Sequence, residues 1–153
     1  MLKHKSQIKV RAADPNDFIK IFCESLAIDL QNKFSKVYVG SEKIELENSP
    51  LSFLVLWDFF EIINNGDISI SQKSKMVTIQ YCLDYSRYIF FWCITSVLII
   101  IIEIFSGFND TMVFAMPFLW GAIGFIFTTI SEIKFRTILT KNIKSSNGTL
   151  LLT

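Results

Sequence analysis

The sequence predicts an α+β domain followed by a two-helix transmembrane hairpin. Two observations carry this expectation. Residues 1–86 alternate between strand-like and helix-like patterns. Residues 88–106 and 111–130 then form two apolar runs, broken only at Gly107–Asp110. A helix rises about 1.5 Å per residue, so about 20 residues match the ~30 Å hydrocarbon layer of a bilayer. Hydrophobic residues make up 51% of the 153, and they crowd into the second half of the chain.

In the first half, Ile8, Val10 and Ala12 alternate with Lys9 and Arg11, the signature of a half-buried strand. Asp14-Pro15-Asn16-Asp17 then supplies an N-cap, a proline for the first helical turn and an acidic residue for the positive helix end. The helix that follows, to about Lys33, repeats Phe18, Phe22, Leu26 and Leu30 on one face. Lys36–Ser41 and Lys43–Glu47 read as a strand hairpin with Val37, Val39, Ile44 and Leu46 facing the core. Asn48-Ser49-Pro50 is expected to start a second helix, Leu51 to Asn64, ended by Asn65-Gly66. Asp67–Gln72 and Met76–Leu83 form a second strand pair around Lys73–Lys75. The order β-α-β-β-α-β-β predicts an antiparallel sheet with helices on one face.

Only Asp84-Tyr85-Ser86-Arg87 separates the last strand from the first apolar run. Such a short junction, without a flexible Gly/Ser tether, couples sheet and helix stiffly. Lys134, Arg136, Lys141 and Lys144 follow the second run against Glu132, and Arg87 precedes the first. The positive-inside rule therefore predicts a multi-pass protein of the cell (inner) membrane with both termini cytoplasmic. The expected divisions are a cytosolic domain at 1–86, the hairpin at 87–132 and a basic amphipathic tail at 133–153. In that tail Phe135, Ile138, Leu139 and Ile143 share one helical face, and Leu150–Leu152 is apolar enough to dock on the domain. Asn147-Gly148-Thr149 matches a glycosylation sequon that the cytoplasmic side leaves unused.

The chemistry-bearing residues are few. Cys23, Cys82 and Cys93 have no motif spacing, and His4 is the only histidine. A zinc site and a Ser–His or Cys–His catalytic pair are therefore not expected, nor is an enzyme, metal or cofactor of any kind. The near-neutral first half argues against duplex nucleic acid. Lys9 and Arg11, with Lys3 and Lys5, are the candidates for binding a small anionic ligand. Glu103, the lone carboxylate in the apolar runs, is the candidate for a ring at a pore mouth. Gly121 and Gly124 are candidates for close helix packing. The architecture resembles the two-helix membrane effectors of bacterial antiviral defence. That resemblance implies a sensor–effector: the domain would bind a ligand, such as a nucleotide signal, or a protein, and oligomerised hairpins would act on the lipid bilayer. The alternative is a non-catalytic accessory or assembly subunit of a larger membrane complex.

Overall fold

The computed structural model describes residues 3–49, 59–106 and 110–151. Strand β1 (Lys3–Arg11) leads into helix α1 (Pro15–Gln31). Strands β2 (Lys36–Val39) and β3 (Lys43–Glu47) follow, then β4 (Asn65–Lys73) and β5 (Met76–Asp84). Helices α2 (Ser86–Ser106) and α3 (Asp110–Ser145) come next, and β6 (Thr149–Leu151) closes the order. The strands form one six-stranded sheet in the order β2-β3-β4-β5-β1-β6, with every pairing antiparallel. The α+β class and the antiparallel sheet agree with the sequence reading.

Period-two alternation sets the two faces of the sheet. Ile8 and Val10, Ile44 and Leu46, Ile68 and Ile70, and Val77, Ile79, Tyr81 and Leu83 all point into the core. Helix α1 covers them with Phe18, Phe22, Leu26 and Leu30, the four-residue repeat visible in the sequence. Asp14 caps α1 as expected, its Oδ1 accepting from the Asn16 and Asp17 N–H groups at 3.0 and 3.2 Å. Strand β2 departs from expectation, since Val39 remains 49% exposed. It is the outer strand of the sheet, paired with β3 alone.

The expected second helix, Leu51 to Asn64, falls largely outside the described residues. Where it re-emerges, residues 59–62 form turns, and Asn65-Gly66 opens β4 instead of ending a helix. Asn48 is buried. It holds this segment through Nδ2–H bonds to the carbonyls of Phe60 and Ile63, both 2.9 Å, and its Oδ1 accepts from Ser35 N–H. Gly66 permits the close approach of two strands: a Cβ there would lie 3.1 Å from a Leu83 methyl.

The larger correction concerns the hairpin. Among the described residues no helix is long and apolar enough to cross a membrane. The transmembrane hairpin, the multi-pass placement in a cell membrane and the membrane role are therefore not supported. Both helices are instead rooted in the core of the domain. Tyr88 and Trp92 of α2 are 0% and 8% exposed. Helix α3 does not stop at Ile130 but runs unbroken to Ser145. Beyond Ile130 it carries Ser131, Phe135, Leu139 and Ile143 into the sheet core. The amphipathic face expected at a membrane surface is thus the second helical layer on the sheet, beside α1. Phe135 packs against Tyr81 in a tilted arrangement, with ring centroids 5.4 Å apart. Asn142, also buried, donates from Nδ2 to Asp29 Oδ2 of α1 at 3.0 Å and pairs through Oδ1 with the Ser25 hydroxyl. Together with the nearby Lys141 ammonium, that bond lowers the Asp29 pKa. Asn147, at φ 59°, and Gly148 then reverse the chain into β6, which pairs with the end of β1.

Candidate functional site: the open face of the sheet

Both long helices lie on one side of the sheet, so its other side faces solvent. Strand β1 presents Lys5, Gln7, Lys9 and Arg11 there at alternate positions. Side chains two apart on a strand stand about 6.7 Å from each other. The register places Thr78 of β5 opposite Lys9 and Met76 opposite Arg11. Across β5, the same rows reach Ser71 and Lys73 of β4. No ion pair involving Lys5, Lys9 or Arg11 occurs among the described residues. The carboxylates of this face lie further along it, on β3 and β4. There Glu45 holds Lys43 at 2.7 Å and raises its pKa, and Glu47 lies 3.6 Å from Lys36. Among the described residues the face therefore has two poles, unpaired cations along β1 and ion-paired charges of both signs on β2 and β3.

A groove of about 440 Å³ runs between these poles, lined by Lys5, Gln7, Asp67, Ser69, Gln80 and Cys82. Two adjacent rows of the pairing register build it: Lys5–Cys82–Asp67 and Gln7–Gln80–Ser69. Lys9 stands one row further on. The groove offers a cation at one wall, a carboxylate at the other, and amides and a hydroxyl between. It can take a ligand that carries negative charge at one end and hydrogen-bonding edges at the other. Its volume lies within the range of small-ligand pockets, about 300–1,000 Å³.

The structure brings Lys9 and Arg11 together on this face, in line with Lys5. Asp67, Ser69 and Gln80 were not singled out in the sequence, although the alternation of β4 and β5 places them on the polar parity. Glu103 lies within α2, and its side chain falls outside the described residues. Gly124 packs against the Trp92 indole, 3.7 Å from where a Cβ would stand, whereas among the described residues nothing lies within 4 Å of such an atom at Gly121. His4 is on the opposite parity of β1, its Nε2 2.7 Å from Glu132 Oε1 of α3. It ties the start of the sheet to the helix and takes no part in the open face. No group of three metal-ligating side chains occurs among the described residues.

The junction from sheet to helix is as short as the sequence indicated. Tyr85 alone separates β5 from α2. Asp84, buried at the strand end, accepts from both the N–H and the hydroxyl of Ser86, at 2.9 and 2.6 Å. The Asn64 amide, with its oxygen toward the helix, accepts from Arg87 N–H at 2.7 Å. These contacts satisfy donors that an α-helix leaves free at its first turn.

Comparison with protein-family models, curated proteins and solved structures returned no match.

Proposed function

We propose that this chain is a non-catalytic binding module whose open sheet face receives a small anionic ligand of nucleotide size. The observation that carries the reading is the row of Lys5, Lys9 and Arg11 on one strand face, without carboxylate partners among the described residues, beside a groove lined by amides and Asp67. Phosphate oxygens would sit along β1. The amino and ring-nitrogen groups of a base would meet Asp67, Gln80 and Gln7. A non-catalytic role is favoured because the only histidine is engaged with Glu132 on the other parity, away from any ligand in the groove. Signal output would pass through the capped junction at Asp84–Arg87 into the α2–α3 hairpin.

Calorimetric titration with a nucleoside triphosphate tests this. Binding is expected to weaken as salt is raised from low to physiological strength, because its driving force is exposed charge. The double substitution Lys9→Glu/Arg11→Glu is expected to weaken it by about tenfold or more, equivalent to about 1.4 kcal/mol. Lys20→Glu, on the exposed side of α1, is expected to leave it unchanged. Heat that is indifferent to the β1 reversal, or no binding of any nucleotide, would refute the reading.

A further inference from the structure

We infer that the α2–α3 hairpin is a self-assembly element, in which the outer side of α2 in one copy packs on the outer side of α3 in the next. This goes beyond the sheet-face reading and holds whether or not the sheet binds an anion.

Successive residues turn by about 100° around a helix. On α2 the residues turned toward α3 centre on Trp92, which covers Gly124. Beyond Arg87, the opposite half-cylinder of α2 is largely exposed and apolar, and includes Phe90 at 67%, Leu98 at 51%, Ile101 at 43% and Phe105 at 87%. Helix α3 repeats the pattern. Its side away from α2 exposes Phe118 at 81%, Leu119 at 57%, Phe125 at 73% and Ile126 at 52%. The hydroxyl of Thr129 on that side is bonded back to the Phe125 carbonyl at 2.9 Å, so it offers little to an incoming polar group.

The area decides that something covers these faces. An aromatic side chain presents about 150–250 Å², so the two exposed phenylalanines of each face contribute on the order of 300 Å². With Ile94, Val97, Leu98, Ile101 and Ile104 added, the α2 face alone exceeds the largest apolar patch of a typical monomer, about 300–600 Å². It approaches the ~800 Å² per partner of a standard interface. A helix that is apolar on nearly every side belongs inside something larger.

The chain itself supplies the occupant. Each hairpin carries two such faces, and they point in opposite directions because each is the side its helix turns away from the other. A two-fold dimer through either face would leave the second uncovered. Head-to-tail contact, α2 on the next α3, covers both and repeats the antiparallel helix pairing already present within the hairpin. More than two copies are therefore required.

Native Cys93 tests the geometry, because it is exposed on the outer side of α2. Ala122, exposed on the outer side of α3, stands near the same level, since Gly124 lies against Trp92. The experiment uses the full chain with Cys82→Ser and a short bis-maleimide, with and without Ala122→Cys. Cys93 alone is expected to give no ladder. The Cys93/Ala122→Cys pair is expected to give a ladder that passes dimer and stops at a fixed copy number. Leu98→Glu, at an exposed position, is expected to abolish the ladder while circular dichroism stays unchanged. If that variant misfolds, the cysteine pair still decides. A monomeric mass with no ladder overturns the inference, and so does dimer formation through Cys93 alone. Partition into phosphatidylcholine vesicles as uncrosslinked monomer overturns it as well.

Discussion

Removing the Phe135 side chain probes the assignment of the C-terminal part of α3 to the domain core. Phe135 is fully buried and packs, tilted, against Tyr81 of the central strand β5. Truncation to alanine would remove a buried ring from between a helix and the sheet. Such Phe→Ala changes cost about 3–5 kcal/mol through lost transfer energy and the cavity left behind. Against a typical total stability of about 5–15 kcal/mol, this is about a fifth of the whole or more. The neighbouring Arg136 is exposed and has no ion pair among the described residues, so Arg136→Ala should stay within about 0.5 kcal/mol. Urea unfolding followed by circular dichroism reads both. The midpoint of Phe135→Ala should fall by more than 1 M, taking a slope of about 1–3 kcal/mol/M. A loss below about 1 kcal/mol would refute the placement, because an amphipathic tail outside the domain would tolerate this change.

Other outcomes follow from the same packing. Asp84→Ala removes the acceptor at the start of α2 and should cost about 0.5–2 kcal/mol in urea unfolding. Gly148→Ala would place a Cβ 2.6 Å from the Phe18 ring and 2.7 Å from a Val10 methyl, so overpacking of about 1–3 kcal/mol should lower the thermal midpoint. Burial raises the Tyr85 phenol to about 12, with the nearby Ser131 hydroxyl opposing the shift and Glu132 adding to it. The folded state then holds this proton where the unfolded state, at about 10, has released it. Stability is therefore complete below pH 10 and declines as pH rises from about 10 to 12, by about 2–3 kcal/mol. Urea midpoints across that range should show the decline, and Tyr85→Phe should reduce it, leaving the share of Tyr88, whose phenol burial also raises.

The sheet was readable because strand alternation is local. The buried and exposed positions of β1, β4 and β5 follow directly from Ile8/Lys9/Val10 and its counterparts, and the α1 stripe is equally plain. Asp14 was legible as a cap for the same reason. The hairpin was misread because an unbroken apolar run has no periodicity, so nothing local shows which residues turn inward. Tyr88 and Trp92 look no different in the sequence from Phe90 and Phe91. Only the long-range return of α3 across the sheet separates them. Ser131 to Ile143 carried the right amphipathic pattern, but a pattern does not name the surface it covers. Asn147-Gly148 read as a sequon, whereas its role here is to end α3 in a left-handed turn. Lys9 and Arg11 could be placed on one face from sequence. That Lys5 and Gln7 lie level with Asp67 and Ser69, with Lys9 one row further on, needed the order of strands, which brings the first strand beside the fifth.

The account rests on the polar face of the sheet as the receiving surface, and amide chemical-shift mapping addresses that most directly. On addition of a nucleoside triphosphate, the account predicts shifts at Lys5, Gln7, Lys9 and Arg11 and across to Ser69 and Gln80, with α1 unmoved. Shifts confined to the α1–α3 side, or none at saturating ligand, would contradict it.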